Sequence, residues 1–211
     1  MTESASSPCT RADHWDAAYE TRGPTEVSWF QTEPVVSLEL IETLEVPREA
    51  AVIDIGGGAS LLVDHLVEQG FNDLSVLDIS ETALGVARQR LGASAPVSWL
   101  HQDLLSWRPS RRFDLWHARA VFHFLVRKED RDAYLDTLRA GIAPGGAVIV
   151  ATFAEDGPEY CSGLAVDRYS AIDLGSVLGD GFAVIETRRE VHITPAGATQ
   201  PFTWVAARAT L

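Results

Sequence analysis

Ala51-Val52-Ile53-Asp54-Ile55-Gly56-Gly57-Gly58-Ala59-Ser60 is the stretch on which the rest of this chain turns. Its first half is an apolar, branched run, the pattern of a strand covered on both faces. Asp54 sits toward the carboxyl end of that run, and three glycines follow. Beyond Ser60, Leu61, Leu62, Val63, Leu66 and Val67 recur at helical spacing. A strand, a glycine turn and a helix suit a nucleotide-type ligand at the mouth of a parallel sheet. Glycine lets backbone approach the ligand and take positive φ, and the helix start leaves N–H groups unpaired.

The alternation continues on both sides. Downstream, strands are expected over residues 74–77, 97–100, 113–116 and 147–152, with helices over 81–91 (Ser80 as N-cap), 129–140 and 171–178. Residues 182–189 and 202–207 read as a terminal hairpin. Upstream, a short helix from Arg11 puts Trp15, Ala18 and Tyr19 on one side before Gly23-Pro24 breaks it. An aromatic loop holding Val27, Trp29 and Phe30 follows, then a helix over residues 34–44. Residues 1–10 are small and polar and read as a disordered lead. Strands alternating with helices predict a doubly wound, Rossmann-like α/β sheet, mostly parallel, within a single domain over residues 11–211.

Composition narrows the function. The chain has 211 residues, 46% apolar and 22% charged, with a net charge of −13. That is ordinary globular composition. No basic stripe exists to neutralise phosphates, which argues against a nucleic-acid partner or an anionic membrane surface. Two cysteines, Cys9 and Cys161, make no disulfide framework, and the six histidines are scattered without metal-ligand spacing. With no apolar leader or bilayer-length run, a cytoplasmic protein is expected.

The glycine spacing separates two cofactor classes. The pattern is Asp54-x-Gly56-x-Gly58-x-Ser60, not the G-x-G-x-x-G of dinucleotide folds. It resembles the first motif of the seven-strand, class I S-adenosylmethionine-dependent methyltransferases, with Ser60 in place of a third glycine. The resemblance extends to Pro144-Gly145-Gly146 before an apolar strand and to the terminal hairpin. It implies a seven-stranded sheet with an antiparallel last strand and S-adenosylmethionine as cofactor. Gly56, Gly57 and Gly58 would lie against the methionine half of that cofactor, and Asp54 would place its amino group. Asp78 would accept the ribose hydroxyls and Ile79 would pack on adenine. Gln102, Asp103 and Leu104 would lie at the base, with Asp103 on its amino group. Trp15, Tyr19 and Trp29 resemble the lid of small methyltransferases, which makes residues 11–46 a lid segment and 50–211 the catalytic core.

The acceptor side is less defined. His117, Arg119 and His123 follow the fourth strand, where this fold places its methyl acceptor, and are the candidate catalytic residues. His123, between Phe122 and Phe124, is expected either to accept a proton or to shape a pocket. It would share a face with Arg119 if the segment were helical. The Asn/Asp-Pro-Pro-Tyr/Phe motif of nucleobase and amide methylation is replaced by His117-Ala118-Arg119-Ala120. A small-molecule acceptor is expected, with a protein lysine as the alternative within the class. An NAD-dependent oxidoreductase is the rival outside it, weakened because no tyrosine has a lysine four residues on. A cofactor-binding module without catalysis is the third reading. Oligomeric state is not legible.

Overall fold

The computed structural model describes residues 10–210. The expected lead therefore lies outside the described residues, apart from Thr10, which caps α1 (Arg11–Arg22) in a capping box with Asp13. Helix α2 (Val35–Thr43) follows, then β1 (Ala51–Ile55), α3 (Leu62–Glu68), β2 (Asp73–Asp78), α4 (Glu81–Leu91) and β3 (Val97–His101). Next come β4 (Phe113–Arg119), a 3₁₀ turn (Phe122–Phe124), α5 (Lys128–Gly141) and β5 (Ile142–Phe153). A small ribbon, β6 (Tyr160–Cys161) and β7 (Leu164–Ala165), precedes α6 (Ala171–Leu178), β8 (Phe182–Ile193) and β9 (Thr199–Ala209).

Seven strands form one sheet in the order β3-β2-β1-β4-β5-β9-β8. The first five are parallel, and β9 runs antiparallel between β5 and β8. Strand order reverses between β1 and β4, and in such sheets the crevice above the carboxyl ends opens at that reversal. Alternation along each strand divides the core. Val52, Leu115, Ile149 and Trp204 face α2 and α3, while Ile53, Trp116, Val150 and Val205 face α5 and α6.

Three departures from the expected elements matter for the site. Strand β4 runs to Arg119, so His117 and Arg119 project from the α2 side of the sheet beside Leu115. Arg119 and His123 are not one helical turn apart, because a strand end and a 3₁₀ turn separate them. Between them, Ala120 holds a φ of 59°, a costly left-handed setting for a residue with a Cβ. The β6–β7 ribbon was not expected at all. Its two-residue turn, Ser162-Gly163, has φ of 50° and 79°, the geometry that matches the twist of paired strands.

The strand that carries Arg119 is anchored beneath by a buried polar pair. Trp116 Nε1 donates to the Tyr134 hydroxyl at 3.1 Å, and both side chains are fully buried. Tyr134→Phe strands the indole N–H away from water. Urea unfolding followed by circular dichroism is expected to show a loss of about 1–3 kcal/mol, with native helix content unchanged.

Candidate active site

At the end of β1 the chain passes through a slot with no room for side chains. Gly56 and Gly58 hold φ of 66° and 46°. A Cβ on Gly56 would collide with Val121 Cγ2, and one on Gly57 with Asp54 Oδ2 and Val76 Cγ1. A Cβ on Gly58 would lie 2.9 Å from both Asp78 Oδ2 and the Tyr19 hydroxyl. Glycine is needed here for volume as well as for φ.

The acids on either side differ in their partners. Asp54 is buried, and its Oδ1 accepts Nδ1–H of His117 at 2.7 Å. The other ring nitrogen of His117 meets the Ser37 hydroxyl at 3.0 Å, so the ring ties β1, β4 and α2 together. His117 therefore is not a candidate base. Both of its nitrogens are engaged inside the fold, and its ring is 3% exposed. Asp78, at the end of β2, accepts the backbone N–H of Ser80 at 2.8 Å. Burial, reinforced by Asp54 and Asp16 nearby, pushes its carboxyl up to about 7.

The N-terminal segment closes over this turn. Asp16 accepts the Ser80 hydroxyl at 2.6 Å and the Thr82 backbone N–H at 3.1 Å, which pins α1 to the start of α4. Trp29 Nε1 donates to the Tyr19 hydroxyl at 3.1 Å. Trp15 stands edge-on to Trp29 and to Phe124, with ring centroids 5.7 Å and 4.9 Å apart.

Beneath that aromatic cover lies a cavity of about 600 Å³. Asp78, Ile79, Gln102, Asp103 and Leu104 line one end of it, together with Ile55 and Gly56. Arg119, Val121, Phe124, Cys161 and Leu164 line the other. A smaller space of about 40 Å³ sits between Asp54, Ser37, Gly57 and Trp29, and Arg119 reaches both. Burial pushes the Cys161 thiol up to about 11, so it stays protonated at neutral pH.

His123 is placed differently from the expectation. It lines neither space and is fully buried among Phe124, Phe153 and Phe202. Its Nδ1 accepts the Phe153 backbone N–H at 3.3 Å. Burial, with the Arg119 charge adding to it, lowers its pKa to about 3. An imidazole so weakly basic, and sealed from the cavity, is not a general base for an acceptor. Phe122 also belongs to the core, so of this aromatic trio only Phe124 faces the cavity.

The family model described as a methyltransferase domain matches residues 53–148, which spans the glycine turn, both strand-end acids and β4. Over that span, just under half of the chain, the sequence is similar to the S-adenosylmethionine-dependent methyltransferases. The methyltransferase fold is also shared with a solved SAM-dependent methyltransferase from Anabaena variabilis. That match has a TM-score of 0.73 at 18% identity and covers 95% of each chain. By sequence the chain is 34% identical over 128 residues to the mouse eEF1A lysine and N-terminal methyltransferase, covering 59% of this chain and 16% of that protein. It is 34% identical over 138 residues to a trans-aconitate 2-methyltransferase of Methylobacterium radiotolerans, covering 64% and 48% respectively. The chain spans half or less of the length of the first curated relatives it matches.

Several residues around the site have contacts that only the structure shows, although His14 and Asp16 flank Trp15 in the segment that resembles a lid. Asp16 and Ser37 bind partners remote in the chain, and nothing local marks those contacts. His14 lines the cavity with its Nε2 buried and unpartnered. The β6–β7 ribbon did carry a signal, since Ser-Gly between short apolar pairs suits a tight hairpin.

The Asp54–His117–Ser37 chain can be tested by stability alone. His117→Leu leaves a buried carboxylate without its ring donor, and a loss of about 1.5–3 kcal/mol in urea unfolding is expected. Ser37→Ala removes only the outer, uncharged bond and is expected to cost about 1 kcal/mol. Equal, negligible losses would show that the chain does not hold the turn together.

Proposed function

We propose that this protein is an S-adenosylmethionine-dependent methyltransferase acting on a small-molecule acceptor. The observation that carries the reading is a glycine turn with no side-chain room, flanked by an acid at each of two strand ends and opening on a 600 Å³ cavity. That volume lies within the usual range for small-molecule and cofactor sites. When bound, S-adenosylmethionine would supply the methyl group of its sulfonium sulfur to a nucleophile by in-line displacement, the S–CH3 bond breaking and S-adenosylhomocysteine leaving.

The protein's residues bind, orient and exclude water. The unshared Asp54 Oδ2, which touches Gly57, holds the amino group of the cofactor, while His117 keeps the carboxylate facing the turn. Asp78 takes the ribose hydroxyls. Ile79 and Leu104 flank the adenine, and Gln102 and Asp103 contact its edge. Asp103 keeps one oxygen on the Leu105 backbone N–H at 3.0 Å and has the other to offer. Trp15, Tyr19 and Trp29 form the lid that keeps water from the reactive sulfonium. Among the described residues no helix is long and apolar enough to cross a membrane.

A protein lysine is the second reading for the acceptor, supported by the likeness to the mouse lysine methyltransferase. Turnover against a panel of metabolites and lysine peptides separates the two.

The titration of Asp78 supplies a test of the cofactor site. Ribose hydroxyls donate to both oxygens of the ionised carboxylate in charge-assisted bonds, and bind the protonated form more weakly. With the free carboxyl near 7, affinity for S-adenosylhomocysteine weakens as pH falls through that value. The expected loss is about tenfold between roughly pH 8 and pH 6. Asp78→Asn, neutral throughout, should bind about ten- to a hundredfold more weakly at pH 8 and show no such step. Titration calorimetry across that window decides it; a flat profile in the wild type rejects the ribose assignment.

A further inference from the structure

The two ends of the large cavity differ in charge. Two acids, Asp78 and Asp103, line the end beneath β1, β2 and β3. At the end formed by β4, the 3₁₀ turn, the β6–β7 ribbon and the start of α1, the described lining residues hold three arginines, Arg11, Arg119 and Arg127. The one carboxylate there, Asp130, is already held by Arg11 at 3.0 Å and Arg127 at 3.1 Å. With Glu190 behind Arg119 counted, three arginines stand against two carboxylates, a local excess of positive charge in a chain of net charge −13.

Arg119 is the buried member of the three, its side chain 9% exposed. Its guanidinium lies over the Phe202 ring at 4.6 Å, and Nη1 donates to the Trp29 carbonyl at 2.9 Å. Nε and Nη2 have no partner. Those two N–H groups share one edge of the guanidinium, the edge that grips a carboxylate with two parallel bonds. Glu190 does not fill it. Its Oε2 is 4.0 Å from Nε, and its oxygens already accept from Gln31 and Trp204. Burial lowers the Arg119 pKa only to about 10, so the charge persists at neutral pH. Around it, Val121, Phe124, Leu125 and Leu164 give the wall an apolar character.

We infer that the methyl acceptor is a small carboxylic acid with an apolar body, its carboxylate seated on the free edge of Arg119. The inference rests on the methyltransferase reading and narrows its substrate class. A desolvated cation with two unpaired donors favours an anion and repels an ammonium, so a lysine side chain is disfavoured at the same place. Arg119 is then a substrate-binding residue that orients the acceptor, and methylation falls on an atom of the acid's body.

The test uses the full chain with saturating S-adenosylhomocysteine and three probes of one shape: 3-phenylpropionate, 3-phenylpropionamide and 3-phenylpropylamine. Calorimetry or ligand-observed NMR should show the carboxylate bound at least about tenfold more tightly than the amide, and the amine bound least. This comparison in the wild type needs no variant. R119Q should remove the preference for acid over amide, and R119K should keep part of it, since the charge stays while the fork is lost. Binding of the amide or amine as tight as the acid, or no acid binding at millimolar concentration, would overturn the inference. So would an R119Q protein that binds S-adenosylhomocysteine more weakly but 5′-methylthioadenosine equally well. That nucleoside lacks the amino-acid tail, so the carboxylate on Arg119 would then be the cofactor's. A wild type that binds no S-adenosylhomocysteine would sink the methyltransferase reading instead, while the same three probes, added to the unliganded protein, would still score the carboxylate preference.

Discussion

The structure depends on the passage of backbone through the slot at Gly56, Gly57 and Gly58. Val121 closes it on one side, Asp54 and Val76 below, and Asp78 with Tyr19 on the other. Each wall comes from a different part of the chain, so the turn is where β1, β2, the β4 exit and α1 are all forced into register. A side chain at any of the three positions would push one of those elements aside. The acids are therefore held in fixed relation to the turn by steric contact as well as by hydrogen bonds.

Polar groups above the sheet are held just as tightly. Asp54, His117 and Ser37 share one line of hydrogen bonds through the α2 face, and Asp16 links α1 to the first turn of α4. Buried polar groups that are fully paired stiffen a site, whereas unpaired ones are costly. Against that background the unpaired atoms stand out. Among the described residues they include His14 Nε2 and Arg119 Nε and Nη2, and both of these residues line the cavity. His123 Nε2 is also unpaired but lies inside an aromatic cluster, a cost with no ligand to relieve it. Location relative to the cavity, not residue type, separates His14 and Arg119 from the core residue His123.

Local chemistry made much of the fold legible. Ser80 does cap α4, which spans residues 81–91 as its spacing suggests, and α6 occupies residues 171–178. The apolar run before the glycines is the central strand, buried along its whole length. Extents were read less well where tertiary pairing prolongs a strand. β4 continues to Arg119 and β5 begins at Ile142 because each has a neighbour to bond. The hairpin strands β8 and β9 are longer than their apolar segments for the same reason.

The sequence by itself determined the alternation of strands and helices, the glycine turn and the acids at two strand ends. These follow from side-chain periodicity, backbone freedom and capping, all of which act within a few residues. Only the tertiary structure decided the fate of the three candidates at the end of β4 and just beyond it. His117 is enclosed by Ser37 and Asp54, His123 by Phe153 and Phe202, and Arg119 alone reaches the cavity. The residues that enclose them lie 30 to 80 positions away in the chain. Burial sets whether an imidazole can take a proton, and burial is a property of the packed fold rather than of any local stretch.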